Sequence, residues 1–403
     1  MYTRKWVEEL HRKLSNFPIV AIIGARQCGK TTFARKKLAD WTYLDLERPS
    51  DRRPLEADIE ARLRTIGNRV VIDEAQRLPE LFPVLRSLTD EDRSRKGRWV
   101  LLGSASFDLI RGISESLAGR IAFIELPVLQ PQEIYNGHRD TPPLTDIVVN
   151  RWFRGGYPEA WLQDDDRART EWFEAYQQTF IQRDVLQIGL GVQTSTVERL
   201  WIMMAHSVGS IWNASTFGAA LGVNYQTVNR YAELLEGSFL IRRLMPWHAN
   251  VKKRLTKSPK LLFRDCGLLH HFLGIHDRKI LEVHNLRGHT WENFITESCI
   301  ARFTREYPGL RYGFWRTLAG AEVDLIVEFN GTVVPVEIKL HTSPIASDLR
   351  GLFNCITDLN AEYGIVLHGG TMAYTIEGKV QALPASEVIL GNMDIFKKQG
   401  NLS

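Results

Sequence analysis

Gly24-Ala25-Arg26-Gln27-Cys28-Gly29-Lys30-Thr31 fits the pattern G-x-x-x-x-G-K-[ST] at every fixed position. It follows the apolar run Ile19-Val20-Ala21-Ile22-Ile23 and leads into a helix-compatible stretch from about Thr32. In a strand, glycine loop and helix arranged this way, the loop N–H groups turn inward on a phosphate and the helix N-terminus adds partial positive charge. With glycine near 7% of residues, a chance match in a chain this long is on the order of one in a hundred. The eight loop residues and Thr32 are therefore the expected nucleotide-binding set. Lys30 is expected to reach the β- and γ-phosphates and Thr31 to ligate Mg2+.

Val70-Val71-Ile72-Asp73-Glu74 is an apolar strand ending in two carboxylates. In phosphoryl transfer, a carboxylate in the place of Asp73 holds the metal and one in the place of Glu74 polarises the attacking water. Taken alone, the pair reads equally as a solvated acidic loop. Trp41 to Leu46, Trp99 to Leu102 and Ile121 to Leu126 bring the strands to five. Continuous apolar runs of this length suit a parallel sheet buried on both faces. Ser104, just past the fourth strand, reads either as a residue that orients the water or senses the γ-phosphate, or as an ordinary turn serine. Arg120, at the start of the fifth, reads either as an arginine finger acting in trans, which implies a homo-oligomer, or as a surface arginine. Arg111 is a weaker candidate for the same role.

On these residues the first 130 positions resemble the AAA-type P-loop ATPases of bacteria and archaea that carry a C-terminal domain of unassigned role. Gly103-Ser104, Leu117-Ala118-Gly119-Arg120 and Lys260-Leu261-Leu262-Phe263-Arg264-Asp265-Cys266-Gly267-Leu268 look like landmarks of that family. The resemblance covers nearly the whole chain. It implies a parallel sheet of order 5-1-4-3-2 and ATP with Mg2+ as cofactors.

A length of 403 residues points to two or three domains. A hydrophobic fraction of 44% and a charged fraction of 24% exclude a disordered or collagen-like chain. Net charge is only +4, so any contact with nucleic acid must come from a local basic patch. Cys28, Cys266, Cys299 and Cys355 are scattered without a C-x-x-C pair, which argues against zinc or disulfide frameworks. No early apolar stretch approaches the roughly 20 residues of a membrane span, and no signal-peptide pattern opens the chain. A cytoplasmic protein without a membrane partner is expected.

The middle of the chain is helix-rich from about Ile147 to Leu244. Thr216 to Leu221 and Tyr225 to Leu235 read as a helix-turn-helix, with Gly222-Val223-Asn224 as the turn and Asn224 as N-cap. Phe239 to Leu244 would add a wing, giving a winged-helix candidate. Gln226, Thr227, Asn229 and Arg230 would face a groove. Arg242, Arg243 and the connector residues Lys252, Lys253, Arg254, Lys257 and Lys260 would neutralise phosphates. Winged helices also serve as protein adaptors or spacers, and this one carries few basic residues.

Ala321 to Phe329, Asn330-Gly331 and Thr332 to Leu340 read as a β-hairpin on a two-residue turn. Counting back from Phe329 opposite Thr332 sets Asp324 opposite Glu337 and Glu322 opposite Lys339. Two opposed carboxylates repel unless a proton or metal intervenes. A divalent cation on Asp324, Glu337 and the Ile338 carbonyl would relieve this, with Lys339 helping to activate a water. Glu292 or Glu297 on the preceding helix would complete the site. The D…E-x-K set resembles the PD-(D/E)xK nucleases of restriction-endonuclease-like fold, Holliday-junction resolvases above all, with Val323 rather than proline before Asp324. A surface ladder with a Glu322–Lys339 ion pair, or a nuclease fold kept only for binding, reads the same residues.

The expected fold class is α/β: an N-terminal P-loop AAA-type parallel sheet, a helical and winged-helix middle, and a C-terminal α/β restriction-endonuclease-like domain. The expected divisions are 1–140 for the ATPase core, 141–250 for the helical region, 251–287 for a basic connector, 288–390 for the nuclease-like domain and 391–403 for a polar, frayed tail. The expected function is ATP binding and hydrolysis coupled to remodelling or processing of duplex or branched DNA, with metal-dependent cleavage as a further activity. The alternative is a nucleotide-dependent switch or junction-migrating motor whose nuclease-like domain is inactive and only binds a partner or DNA.

Overall fold

The computed structural model describes residues 2–104, 116–135, 143–185, 193–247 and 256–397. The chain divides into two compact units. One holds Thr3–Leu129 and Glu233–Leu240; the other holds Met1–Tyr2, Gln130–Ala232 and Ile241–Ser403.

The first unit is built on five parallel strands: β1 Ile19–Gly24, β2 Thr42–Asp45, β3 Val70–Asp73, β4 Trp99–Ser104 and β5 Ile121–Glu125. Their order is β2-β3-β4-β1-β5, the 5-1-4-3-2 arrangement that the resemblance implies. Side chains alternate faces along a strand, so each continuous apolar run feeds two cores. Ile19, Ala21, Ile23, Val70, Ile72, Trp99 and Leu101 pack with Leu81, Phe82, Leu85 and Leu88 of the Leu81–Glu91 helix. Val20, Ile22, Val71, Val100 and Leu102 are equally buried. Each such aliphatic side chain stabilises the unit by about 1.5–3 kcal/mol, which fixes the strand ends, and hence the loops beyond them, in place.

In the second unit the helices Leu144–Arg154, Asp166–Thr179, Thr194–His206, Ala214–Leu221 and the start of Tyr225–Gly237 precede a short antiparallel pair, β6 Ile241–Leu244 with β7 Lys260–Phe263. The turn between the fourth and fifth helices is as expected: Gly222 is left-handed and Asn224 Oδ1 accepts the Thr227 N–H at 2.7 Å. Gly218 lies against this turn, where a Cβ would meet the Val223 carbonyl at 2.6 Å, whereas Ala219 is exposed rather than part of a helix crossing. On the other side of β7, the Leu261 N–H donates to the Ser210 carbonyl at 2.9 Å and the Gly209 N–H to the Leu261 carbonyl at 2.8 Å, and Ile211 forms an isolated antiparallel bridge with Lys260. The stretch read as a basic connector therefore holds β7 and the helices Cys266–Phe272 and Arg278–Val283. Lys252, Lys253 and Arg254 lie outside the described residues.

The long helix Arg287–Glu306 then leads into a six-stranded sheet: β8 Arg311–Arg316, β9 Glu322–Phe329, β10 Thr332–Lys339, β11 Gly364–His368, β12 Tyr374–Ile376 and β13 Val380–Pro384, in the order β12-β13-β11-β10-β9-β8. β8, β9 and β10 are antiparallel; the helix Arg350–Asp358 then crosses over so that β11 runs parallel to β10. Asn330 and Gly331 both take positive φ, as a two-residue hairpin turn of this kind demands. The outer edge of β8 is covered by Met245–Trp247, whose approach needs Gly313: a Cβ there would meet the Met245 carbonyl at 2.8 Å.

The tail departs from expectation. Ile395 is buried, its carbonyl accepts from the Tyr363 hydroxyl at 2.8 Å, and Phe396 packs on Phe303, Tyr307 and Phe329. Two apolar residues in a polar stretch suffice to hold 391–397 down. Among the described residues no helix is long and apolar enough to cross a membrane.

Candidate functional site

The phosphate loop leaves β1 at Gly24, whose φ of 155° and contact with the Leu126 carbonyl leave no room for a Cβ. Gln27 and Gly29 are left-handed, at φ 59° and 97°, which curls the loop before the Lys30–Lys37 helix begins. Cys28 is buried under the loop, its thiol 3.3 Å from the Leu126 carbonyl and its own carbonyl accepting from Arg4 at 2.9 Å. Ala25 is buried, Arg26 half-buried, and Thr32 exposed beside Thr31. Lys30 is buried and its Nζ donates to the carbonyls of Gly24 at 3.0 Å and Ala25 at 2.8 Å. The ammonium thus caps the loop's own acceptors and leaves its N–H groups to serve an anion.

β3 sets Asp73 beside this loop. Asp73 Oδ2 accepts from Thr31 Oγ1 at 2.8 Å and from the Tyr43 hydroxyl of β2, and Oδ1 accepts the Glu74 N–H at 2.9 Å. The aromatic partner was not legible in the sequence; its only signal is the register that sets β2 beside β3. Glu74 is left-handed, at φ 55°, a conformation uncommon for a residue with a side chain. Burial and then the neighbouring Asp73 charge push its carboxyl above the usual glutamate range, while Gln76 donates to it. A hydroxyl and a carboxylate in contact at a loop rich in inward N–H groups fit Mg2+ with a triphosphate. Thr31 and Asp73 are the groups that would hold the metal.

Ser104 is the register partner of Gly24, so its backbone stands at the loop; nothing is described of its side chain. Arg120 lies at the opposite end of the strands, at the start of β5 beside β1. β1 and β5 are parallel with Ile19 opposite Ile121, so Arg120 is set back from the loop by the length of β1, about 16 Å at 3.3 Å per residue. It makes a bidentate pair with Asp90 at 2.7 and 2.8 Å. From there it does not reach its own phosphate loop, so the two expected readings narrow to a finger acting on a neighbouring copy or a surface ion pair. Arg111 lies outside the described residues.

A second cluster forms at the end of β9 and β10. The hairpin keeps the expected register from Phe329 opposite Thr332 to Leu325 opposite Val336, and there the ladder ends. The physical reason is a bulge. From Gly313 to Trp315 β8 advances two residues while β9 advances three, from Ile326 to Val323. The extra residue re-aims Asp324, whose Oδ2 takes the Ile338 N–H at 2.9 Å. The expected facing of Glu322 and Lys339 is corrected accordingly: Lys339 pairs with Glu337 at 2.6 Å, and Glu322 pairs with Arg316 of β8 at 2.8 Å.

The cation in the middle is one of the connector residues expected to neutralise phosphates, and it is instead buried among carboxylates. Lys260, at the start of β7, is 2% exposed. Its Nζ lies 2.7 Å from Glu322, 3.1 Å from Asp324 and in contact with Glu292. Of the two expected helix glutamates, Glu292 joins the site, whereas Glu297 takes Arg242 and Arg264. Arg242, which also donates to the Tyr312 hydroxyl at 2.9 Å, is consumed by these contacts rather than offered to phosphates. The only sequence signal for Lys260 is its place directly before the apolar run Leu261-Leu262-Phe263.

The electrostatics follow from that crowding. Burial opposes ionisation of Asp324, yet the Lys260 charge, Glu292 and the Ile338 N–H hold its carboxyl below the usual range. Burial and the Asp324 charge push Glu292 and Glu337 up. Burial opposes the Lys260 ammonium, but the three carboxylates around it hold it well above an ordinary lysine. Removing one partner from such a buried set costs about 3–5 kcal/mol. Glu337 Oε2 is buried without a hydrogen-bond partner. The oxygens of Glu292, Glu322 and Asp324 lie within 4.8 Å of one another, close enough for one cation to bind all three.

Residues 16–135 match an AAA domain, residues 145–279 a domain of unknown function (DUF8612), and residues 287–388 another domain of unknown function (DUF4143). Uncharacterized proteins of Mycobacterium tuberculosis and Mycobacterium bovis are each 36% identical over 389 residues, spanning 96% of this chain and 84% of theirs. Among solved structures, a Walker-type ATPase of Pyrococcus abyssi matches at 15% identity with a TM-score of 0.48, over 68% of this chain and 96% of its own.

Proposed function

The chain belongs to the family of these two mycobacterial proteins, with an AAA-type P-loop ATPase domain at residues 16–135, and on that premise we propose that it couples ATP hydrolysis to work on duplex or branched DNA. Lys30 and the loop N–H groups bind the β- and γ-phosphates, Thr31 and Asp73 hold Mg2+, and Glu74 orients the attacking water. The metal's contribution is to neutralise charge on the phosphate oxygens.

The observation that carries the DNA reading is the convergence of Asp324, Glu337 and Lys339 where the β9–β10 ladder ends, beside the bulge of β9 against β8. The order of helix, three antiparallel strands, helix and parallel strand supports the nuclease-like reading, and the helix pair joined by a tight turn and followed by the antiparallel β6–β7 pair supports the winged-helix reading. In this reading Asp324 and Glu337 hold a divalent ion and Lys339 steadies the water that attacks a phosphodiester. Gln226 and Arg230, exposed on the second helix of the pair, are the residues that would meet the DNA.

The test is ATP turnover and strand cleavage across single-stranded, duplex and branched DNA with Mg2+ or Mn2+, with Lys30→Ala and Asp324→Ala as controls. DNA-stimulated turnover lost in Lys30→Ala supports the motor. Absence of any stimulation removes the DNA reading. Cleavage that persists in Asp324→Ala, or none from the wild type, removes the nuclease. One observation favours the second reading, a switch or motor with a silent nuclease-like domain: the Lys260 ammonium already fills the acidic cluster.

A further inference from the structure

We propose that Lys260 is the resident cation of the C-terminal acidic site and that a divalent metal ion enters only by displacing its ammonium. The inference rests on reading Asp324 and Glu337 as metal ligands, and adds a gate to that site.

The ammonium occupies a coordination position. The oxygens of Glu292, Glu322 and Asp324 lie within 4.8 Å of one another, and Lys260 Nζ touches all three. An ammonium has three donors and no acceptor, so three carboxylates saturate it. Glu337 supplies an independent sign of a missing ligand. Its residue is 8% exposed and its Oε2 has no partner, although Lys339 satisfies Oε1. Its neighbour Ile338 donates to Asp324, which places Glu337 beside the same cluster.

The ammonium and a metal exclude each other. A singly and a doubly charged cation about 4 Å apart at a partly screened site repel strongly enough to lower metal affinity by several orders of magnitude. Conversely, with neither cation present, buried carboxylates at this spacing repel one another. The site therefore holds one cation or the other. Lys260 reaches it from β7, whose partner strand β6 and following residue Arg264 are tied to the long helix through Glu297, so the ammonium is the part free to move when a metal enters.

The experiment titrates Mn2+ into the nucleotide-free full chain and reads free Mn2+ by electron paramagnetic resonance, for wild type, Lys260→Met, and Lys260→Met with Asp324→Asn. Lys260→Met is expected to bind Mn2+ at least about tenfold more tightly than wild type, and Asp324→Asn to remove the gain. Mn2+ should also raise the melting temperature of Lys260→Met more than that of wild type. Equal affinity in wild type and Lys260→Met, lost when Asp324→Asn is added to Lys260→Met, overturns the gate and leaves the metal site standing. No binding in any variant overturns both. Tight binding by Lys260→Met without strand cleavage keeps the gate and removes the nuclease.

Should Lys260→Met not fold, the wild type answers by acylation and mass spectrometry. Saturating Mn2+ is expected to increase modification of Lys260, and unchanged modification at saturation overturns the proposal.

Discussion

Thr31 Oγ1 donates to Asp73 Oδ2 across 2.8 Å, which ties the end of the phosphate loop to the end of β3. Both groups belong to the expected metal-binding pair, so the loop and the strand are already in register for a shared ligand. Thr31→Ala removes a metal ligand and a hydrogen bond to a charged group worth about 1.5–3 kcal/mol. Titration with a fluorescent ATP analogue is expected to show at least a tenfold loss of affinity that depends on Mg2+, and none at all for binding without Mg2+. Lys30→Ala is expected to abolish binding in both conditions. Retained binding in Lys30→Ala would place the nucleotide elsewhere.

Glu74→Gln separates binding from hydrolysis. The glutamine keeps the shape and loses the charge that polarises water, so ATP is expected to bind as in wild type while turnover falls by about 10²–10⁴-fold. Phosphate release under single-turnover conditions is the measurement. Wild-type turnover in the variant would mean that Glu74 only positions Asp73.

Arg120 can reach a phosphate loop only on another copy of the chain. If it does, Arg120→Ala is expected to lower turnover by about 10³-fold or more, and wild-type turnover per chain should rise with protein concentration. Asp90→Ala frees the same guanidinium from its bidentate pair and should not reproduce that loss. Equal turnover in Arg120→Ala reduces the residue to a surface ion pair.

His270 makes the second unit acid-sensitive. It is buried on the Cys266–Phe272 helix, its Nδ1–H donates to the Phe153 carbonyl at 3.0 Å, and burial pushes its pKa down to about 4. Between the ordinary 6.5 and about 4 the unfolded chain takes up a proton that the folded chain refuses. Stability is therefore full above 6.5 and falls as the pH drops, by about 1.4 kcal/mol per pH unit. Unfolding free energies from denaturant titrations across pH 7 to 4 are expected to fall at least this steeply, since burial also pushes His271 down to about 4, and His270→Gln to flatten the dependence by that amount.

The strands of the first unit were legible because each is a single apolar run between turn residues, and the glycine loop fixed which of them comes first. Their order came from the resemblance, not from periodicity. The hairpin was legible from Asn330-Gly331, whose turn sets register within a few residues. What lay beyond that reach was not. The β9 bulge has no side-chain signature, so counting by twos from the turn failed at Glu322 and Lys339. Lys260 lies 32 residues from Glu292 and 64 from Asp324, and nothing local in its sequence tells a buried ammonium from a solvated one. The packed tail was missed because a short polar segment with two apolar anchors has too little pattern to read.

The long helix Arg287–Glu306 holds the β6–β7 hairpin by three successive grips on neighbouring turns. Glu292 takes Lys260, the Asn293 amide bonds both backbone groups of Phe263, and Glu297 takes Arg242 and Arg264. A hairpin fastened this way behaves as a crank on a stiff shaft. A displacement of either strand is thus shared with two turns of the helix rather than confined to the strand.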